Sequence, residues 1–139
     1  PYGYCADISR TYVEGNKFND NQKKLYLIAV EQINHNSRLI KPGMTFKEFT
    51  EKSWVLPEEY YGNRYSVMVH GIGLCDEWPA IRYPTDGGER SGVFETNMTI
   101  TVESYIGKVG GNEGVKLEQQ YLVGQNSLEL MSHHPLEDI

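Results

Sequence analysis

The chain has 139 residues, enough for one domain, and its 39% apolar and 12% aromatic residues are sufficient to bury a core. A formal net charge of -6 and a sequence pI near 5.2 count against nucleic acid or an anionic membrane as partner, because both recruit Lys and Arg to one face. No run approaches the roughly 18 apolar residues of a membrane helix and no basic-then-apolar leader opens the chain; with only Cys5 and Cys75 as thiols, a reduced, cytoplasmic protein is expected.

In chain order, residues 1–13 read as strand, since aromatic and β-branched residues dominate and no linker leads into them. An earlier part of the domain is therefore expected upstream. Residues 14–18 form a turn, and Asn19 or Asp20 is placed to cap a helix running to about residue 38. Leu25, Ile28, Ala29, Gln32 and Ile33 recur at helical spacing and form its inward stripe. Lys41-Pro42-Gly43 ends that helix. Thr45 with Glu48 then forms a capping box for a second one, which presents Phe46, Phe49 and Trp54.

Residues 65–69 form a short strand leading into His70, and residues 80–92, rich in Pro, Asp and Gly, read as loop. Across residues 97–105, Met98, Ile100 and Val102 alternate with Thr99, Thr101 and Glu103, the pattern of a strand with one polar face. Val115 and Leu117 likewise oppose Lys116, Glu118 and Gln120. Residues 107–114 connect the two strands, and 122–131 close the fold.

The densest chemistry lies in His70-Gly71-Ile72-Gly73-Leu74-Cys75-Asp76-Glu77-Trp78-Pro79, with one imidazole, two carboxylates and two glycines in ten residues. Three more carboxylates stand in apolar or β-branched surroundings: Asp7, Glu103 and Glu118. Neighbouring strands lie about 4.8 Å apart, so one Glu from each can meet over a single ion. Carboxylate oxygens with one imidazole suit Mn, Fe, Co or Zn, and composition does not choose among them. A solvated strand face or ordinary ion pairing would account for any one of these Glu residues taken alone.

Taken in order, Tyr4-Cys5-Ala6-Asp7-Ile8-Ser9-Arg10-Thr11, His70-Gly71-Ile72-Gly73-Leu74, Thr99-Ile100-Thr101-Val102-Glu103 and Gly114-Val115-Lys116-Leu117-Glu118 resemble the metal-ligand segments of the pita-bread metalloenzymes. That family includes methionine aminopeptidases, Xaa-Pro aminopeptidases, prolidases and creatinase. The resemblance covers nearly the whole chain and implies an α+β pita-bread fold, a curved, mainly antiparallel sheet with helices on its outer face. It makes residues 1–139 the C-terminal part of the catalytic domain, an incomplete domain. Carried over, Asp7 and Glu118 would bridge two metals while His70 and Glu103 bind the second. One or two divalent transition-metal ions are implied, with iron favoured, and relatives imply a homodimer.

Two departures from the pattern stand out. A further metal-binding Asp, usual about ten residues before the one matching Asp7, falls upstream of Pro1. Peptidases also place a second His just before the acidic residue that ends the opening motif, and this chain has Asp76-Glu77 there. In that respect it resembles the metal-dependent dimethylsulfoniopropionate lyases, which implies Asp76 as general base and Tyr65 at the substrate. Aromatic faces attract a sulfonium without offering a nucleophile, and Trp78 joins Tyr65 as a substrate-binding residue, with Tyr60, Tyr61 and Tyr83 as weaker ones. Partial burial beside Trp78 is expected to raise the basicity of Asp76.

The alternatives are an Xaa-Pro aminopeptidase or dipeptidase, in which Glu103 handles the proton of the attacking water, and a non-catalytic family member. His133 and His134 read as a solvated tail, His35 as surface and Cys75 as packing. Arg10 pairs either with a ligand carboxylate or with an ordinary structural partner.

Overall fold

The computed structural model describes residues 2–15, 17–88, 91–137 and 139. Among these residues three helices, α1 (Asp20–Leu39), α2 (Phe46–Lys52) and α3 (Glu58–Tyr61), precede five strands, β1 (Val67–Ile72), β2 (Asp76–Arg82), β3 (Thr99–Gly107), β4 (Gly114–Val123) and β5 (Leu128–Leu130). The strands form one antiparallel sheet in the order β2-β1-β3-β4-β5. The fold is thus α+β, as the sequence predicts. Among the described residues, no helix is long and apolar enough to cross a membrane.

Helix α1 starts where a reciprocal cap can form: Gln22 N–H donates to Asn19 Oδ1 at 2.8 Å, and Asn19 N–H to Gln22 Oε1 at 2.9 Å. Its buried residues, Leu25, Tyr26, Ala29, Gln32, Ile33 and Asn36, face β3 and β4. Gln32 in that stripe is partnered, since its amide donates to Tyr83 Oη at 2.5 Å and accepts from Ser104 Oγ at 2.6 Å. Asn36 Oδ1 accepts from Trp54 N–H. Tyr83 and Tyr60 are therefore core residues, and Tyr61 packs edge-on against Tyr83 at 6.0 Å. In α2, Thr45 caps Glu48 N–H at 3.0 Å, while the Glu48 carboxylate turns to Lys52 at 2.6 Å, so one half of the expected capping box forms. Phe49 is fully buried and meets Phe94 edge-on at 5.8 Å.

Two expected elements differ. Residues 2–13 form no strand; they run along β4, touching it through the isolated bridge Ser9 to Glu118. The Thr11 hydroxyl replaces further ladder bonds, donating to Lys116 C=O at 2.8 Å and accepting from Lys116 N–H at 2.9 Å. At the other edge, residues 80–82 belong to β2 rather than to a loop, because Ala80 and Ile81 pair with His70 and Val69 and are buried. Pro79 is tolerated there because β2 is the edge strand of the five-stranded sheet.

Candidate metal centre

The centre is assembled by the register of the sheet. His70 lies in β1, Glu103 in β3 and Glu118 in β4, with Glu103 directly opposite Glu118. All three are buried, at 1%, 2% and 2% exposure, although acidic residues seldom lose water without a compensating cation. Asp7 arrives from the N-terminal segment, which the Ser9 bridge ties to Glu118. Asp7, His70 and Glu118 each offer one ligand atom within 4.8 Å of the others.

The imidazole is oriented for ligation. Its Nδ1 lies 3.0 Å from Gly71 C=O, an acceptor, so Nδ1 carries a proton and Nε2 faces the carboxylates. From Nε2, Glu118 Oε1 is 3.2 Å away, Glu103 Oε1 3.8 Å and Asp7 Oδ2 4.0 Å. Glu103 Oε1 is buried and has no hydrogen-bond partner, although it points toward this group. An orphaned carboxylate oxygen beside Asp, His and Glu donors fits a divalent transition metal, and these oxygens and nitrogen do not distinguish iron from Mn, Co or Zn.

The charges respond to one another as a compact site requires. Burial and the negative charge of Glu118 push the Asp7 carboxyl up. Burial opposes ionisation of Glu118, yet hydrogen bonding to His70, the Lys116 ammonium and the Ser9 hydroxyl outweigh it and hold its pKa below the ordinary value. Burial would lower His70, but Glu118, the Gly71 carbonyl and Asp7 raise it above 6.5. A metal must displace that proton. Metal affinity is therefore expected to fall as pH drops through the raised His70 value and to level off above it, which competition titrations across pH 5–8 would show as proton release on binding.

Around this group stand residues that the sequence singles out for substrate. Asp76 is exposed at the start of β2 and adds to the negative field at Asp7, which places it within electrostatic reach of the centre. Glu77 N–H donates to Asp76 Oδ1 at 3.0 Å, and Tyr65 Oη donates to Glu77 Oε1 at 3.1 Å. Trp78 is 63% exposed, so it does not bury Asp76 as expected; the edge position of β2 leaves residues 76–78 open on their outer side. Arg10 pairs with no ligand carboxylate. It donates instead to the carbonyls of Ser9, Glu118, His134 and Pro135 and to Gln119 Oε1, clamping the segment that carries Asp7 onto β4 and the C-terminal residues. His134 is engaged as well, at 2.6 Å from Tyr12 Oη.

Lys116 is the residue that the sequence reading passed over. Its ammonium pairs with Glu103 Oε2, lies 3.8 Å from Glu118 Oε2 and sits 4.5 Å from the centroid of the Tyr65 ring. Burial holds its pKa below the usual lysine value against the pull of Glu118 and Asp7. The signal was available, since Lys116 and Glu118 alternate onto one face of the same strand.

Comparison with known proteins places the chain in one family. Residues 1–125 match the model of Metallopeptidase family M24. The chain is 36% identical over 140 residues to a dimethylsulfoniopropionate lyase of Roseovarius nubinhibens, covering 98% of this chain and 31% of that protein. It is 34% identical over 134 residues to an Xaa-Pro dipeptidase of Pyrococcus furiosus, covering 93% and 36%. The solved prolidase of Pyrococcus horikoshii superposes with a TM-score of 0.80 at 28% identity, over 99% of this chain and 38% of that one. The chain spans about a third of the length of these relatives.

Proposed function

The chain belongs to metallopeptidase family M24, and on that premise we propose that the whole protein is a metal-dependent enzyme acting on a small carboxylate-bearing substrate. Its fold is the pita-bread fold of that family, here in part. The specific reading we advance is a lyase that converts dimethylsulfoniopropionate to dimethyl sulfide and acrylate. It rests on one observation: after His70, where the peptidase pattern has an imidazole, this chain presents the exposed carboxylate of Asp76 beside the metal-ligand group.

The chemistry required is removal of a proton α to a carboxylate, which is weakly acidic while the carboxylate keeps its full negative charge. A divalent ion held by Asp7, His70 and Glu118, with Glu103 beside them, would supply the Lewis acid that offsets that charge. Asp76 accepts the proton. One of its oxygens takes Glu77 N–H, and the other is the one proposed to meet the α-hydrogen. The C–H electron pair becomes the new carbon–carbon double bond, the C–S bond breaks, and sulfur leaves as neutral dimethyl sulfide. Tyr65 holds Glu77 through its hydroxyl and lies with its ring over Lys116, and the aromatic faces offered to the sulfonium are those of Tyr65 and the exposed indole of Trp78.

A second reading, Xaa-Pro dipeptide hydrolysis, has the broader structural backing. The solved structures that share this fold include prolidases and Xaa-Pro dipeptidases, and sequence identity separates the two readings little, at 36% against 34%. In that case the same centre would polarise the peptide carbonyl, and Glu103 would take the proton of the attacking water. Full-length protein loaded with Fe, Mn, Co or Zn and given each substrate in parallel separates them. Dimethyl sulfide in the headspace without proline release is the expected result. Proline release without dimethyl sulfide transfers the assignment to the hydrolase, and neither product from metal-loaded protein would leave a non-catalytic binding role.

A further inference from the structure

We propose that Glu77 is a positioning residue for Asp76: anchored by the Tyr65 hydroxyl, it fixes the peptide whose N–H holds the Asp76 carboxylate and so sets where the base stands. The proposal rests on the lyase reading above and deepens it by naming what places the base. The sheet itself constrains Asp76 little. It opens β2, an edge strand, and its pairing with Ile72 lies beyond a break in the β1–β2 register between His70 and Ile72. Residues 76–78 are all exposed, so close packing does not hold them either.

Glu77 has a φ of +56°, in the left-handed region that a residue with a long side chain rarely adopts. Such a conformation persists where surrounding contacts over-determine it. Here the contacts bracket the residue. Its N–H donates to Asp76 Oδ1 at 3.0 Å, while its Oε1 accepts the Tyr65 hydroxyl at 3.1 Å. A side chain tied down at Oε1 holds the 76–77 peptide at the angle that φ dictates, and with it the N–H that grips Asp76. Tyr65 is fixed in turn, since its ring lies 4.5 Å from Lys116 Nζ, which pairs with Glu103 Oε2 and stands 3.8 Å from Glu118 Oε2. Through Glu77, Tyr65 and Lys116, the base at the edge of the sheet is registered to the carboxylates of β3 and β4.

The test is kinetic, on metal-loaded full-length protein given dimethylsulfoniopropionate. Glu77→Ala is expected to lower kcat about 10–100-fold, the scale of a misplaced reacting group, with KM and metal content near wild type. Glu77→Gln, whose amide oxygen can accept the same hydroxyl, is expected to recover most of that loss. Tyr65→Phe keeps the ring, removes the hydroxyl and should match Glu77→Ala. Adding Glu77→Ala to Asp76→Asn should cost nothing further, because its effect passes through that base. Undiminished kcat in Glu77→Ala overturns the proposal, while dimethyl sulfide from the wild type keeps the lyase reading. An equal loss in Glu77→Gln overturns it too, since the charge of Glu77 would then act directly, and so does a further loss in the double variant. A wild type that releases no dimethyl sulfide removes both. If Glu77→Ala does not fold, Tyr65→Phe alone and combined with Asp76→Asn decides by the same criteria.

Discussion

Asp76→Asn in the full-length protein is expected to cut dimethyl sulfide release by about 10²–10⁴-fold, the range a positioned general base contributes, with metal content unchanged. The substitution keeps the side chain's shape and the oxygen that accepts Glu77 N–H, and removes only the basic carboxylate. Asp76 is not among the residues within mutual ligand distance, so ion uptake is expected to stay at the wild-type level. The pairing of these two measurements is what makes the experiment informative. Loss of metal with loss of product would make Asp76 a ligand, and undiminished product would assign the proton transfer elsewhere. Glu77 is the adjacent alternative carboxylate, but one of its oxygens already accepts the Tyr65 hydroxyl.

The centre was legible in the sequence wherever it depends on alternation along a strand. Glu103 and Glu118 fall on the polar faces that the period of two predicts, and their opposition across β3 and β4 follows from a tight connection at residues 108–113. Helix α1 was legible for a similar reason, because its cap and its stripe are local patterns. What was not legible depends on partners distant in the chain. Residues 2–13 have strand composition but dock against β4 through one bridge and the Thr11 hydroxyl, which no local pattern encodes. Residues 80–82 carry loop-like neighbours, yet pairing with β1 draws them into the sheet. Trp78 looked like a wall for Asp76 because the two are near in sequence, whereas its place at the sheet edge turns it to solvent. Lys116 was overlooked because a lysine on a half-polar strand is ordinarily a surface residue, and only the folded arrangement shows it against Glu103.

The two glycines of the His70 motif should behave very differently when each receives a methyl group. A Cβ on Gly71 would lie 2.1 Å from the carbonyl oxygen of Trp78, 2.7 Å from its carbonyl carbon and 2.9 Å from Pro79 Cδ. Two of those atoms are backbone and cannot rotate away, so β2 must move off β1 where the ladder is already irregular, between His70 and Ile72. Overpacking of this kind costs about 1–3 kcal/mol and at times more. Because β2 is an edge strand and carries Asp76, the displacement is expected to be local but damaging to catalysis, since a shift near 1 Å can cost about 100-fold in rate. At Gly73 the nearest atom to an added Cβ is Thr99 Oγ1 at 3.7 Å, an ordinary contact. Gly71→Ala should therefore lose amide-exchange protection across β2 and most of its activity while still taking up metal, and Gly73→Ala should remain near wild type in all three. Equal behaviour of the two variants would show that close approach of the Trp78 backbone is not what requires glycine beside the metal-binding histidine.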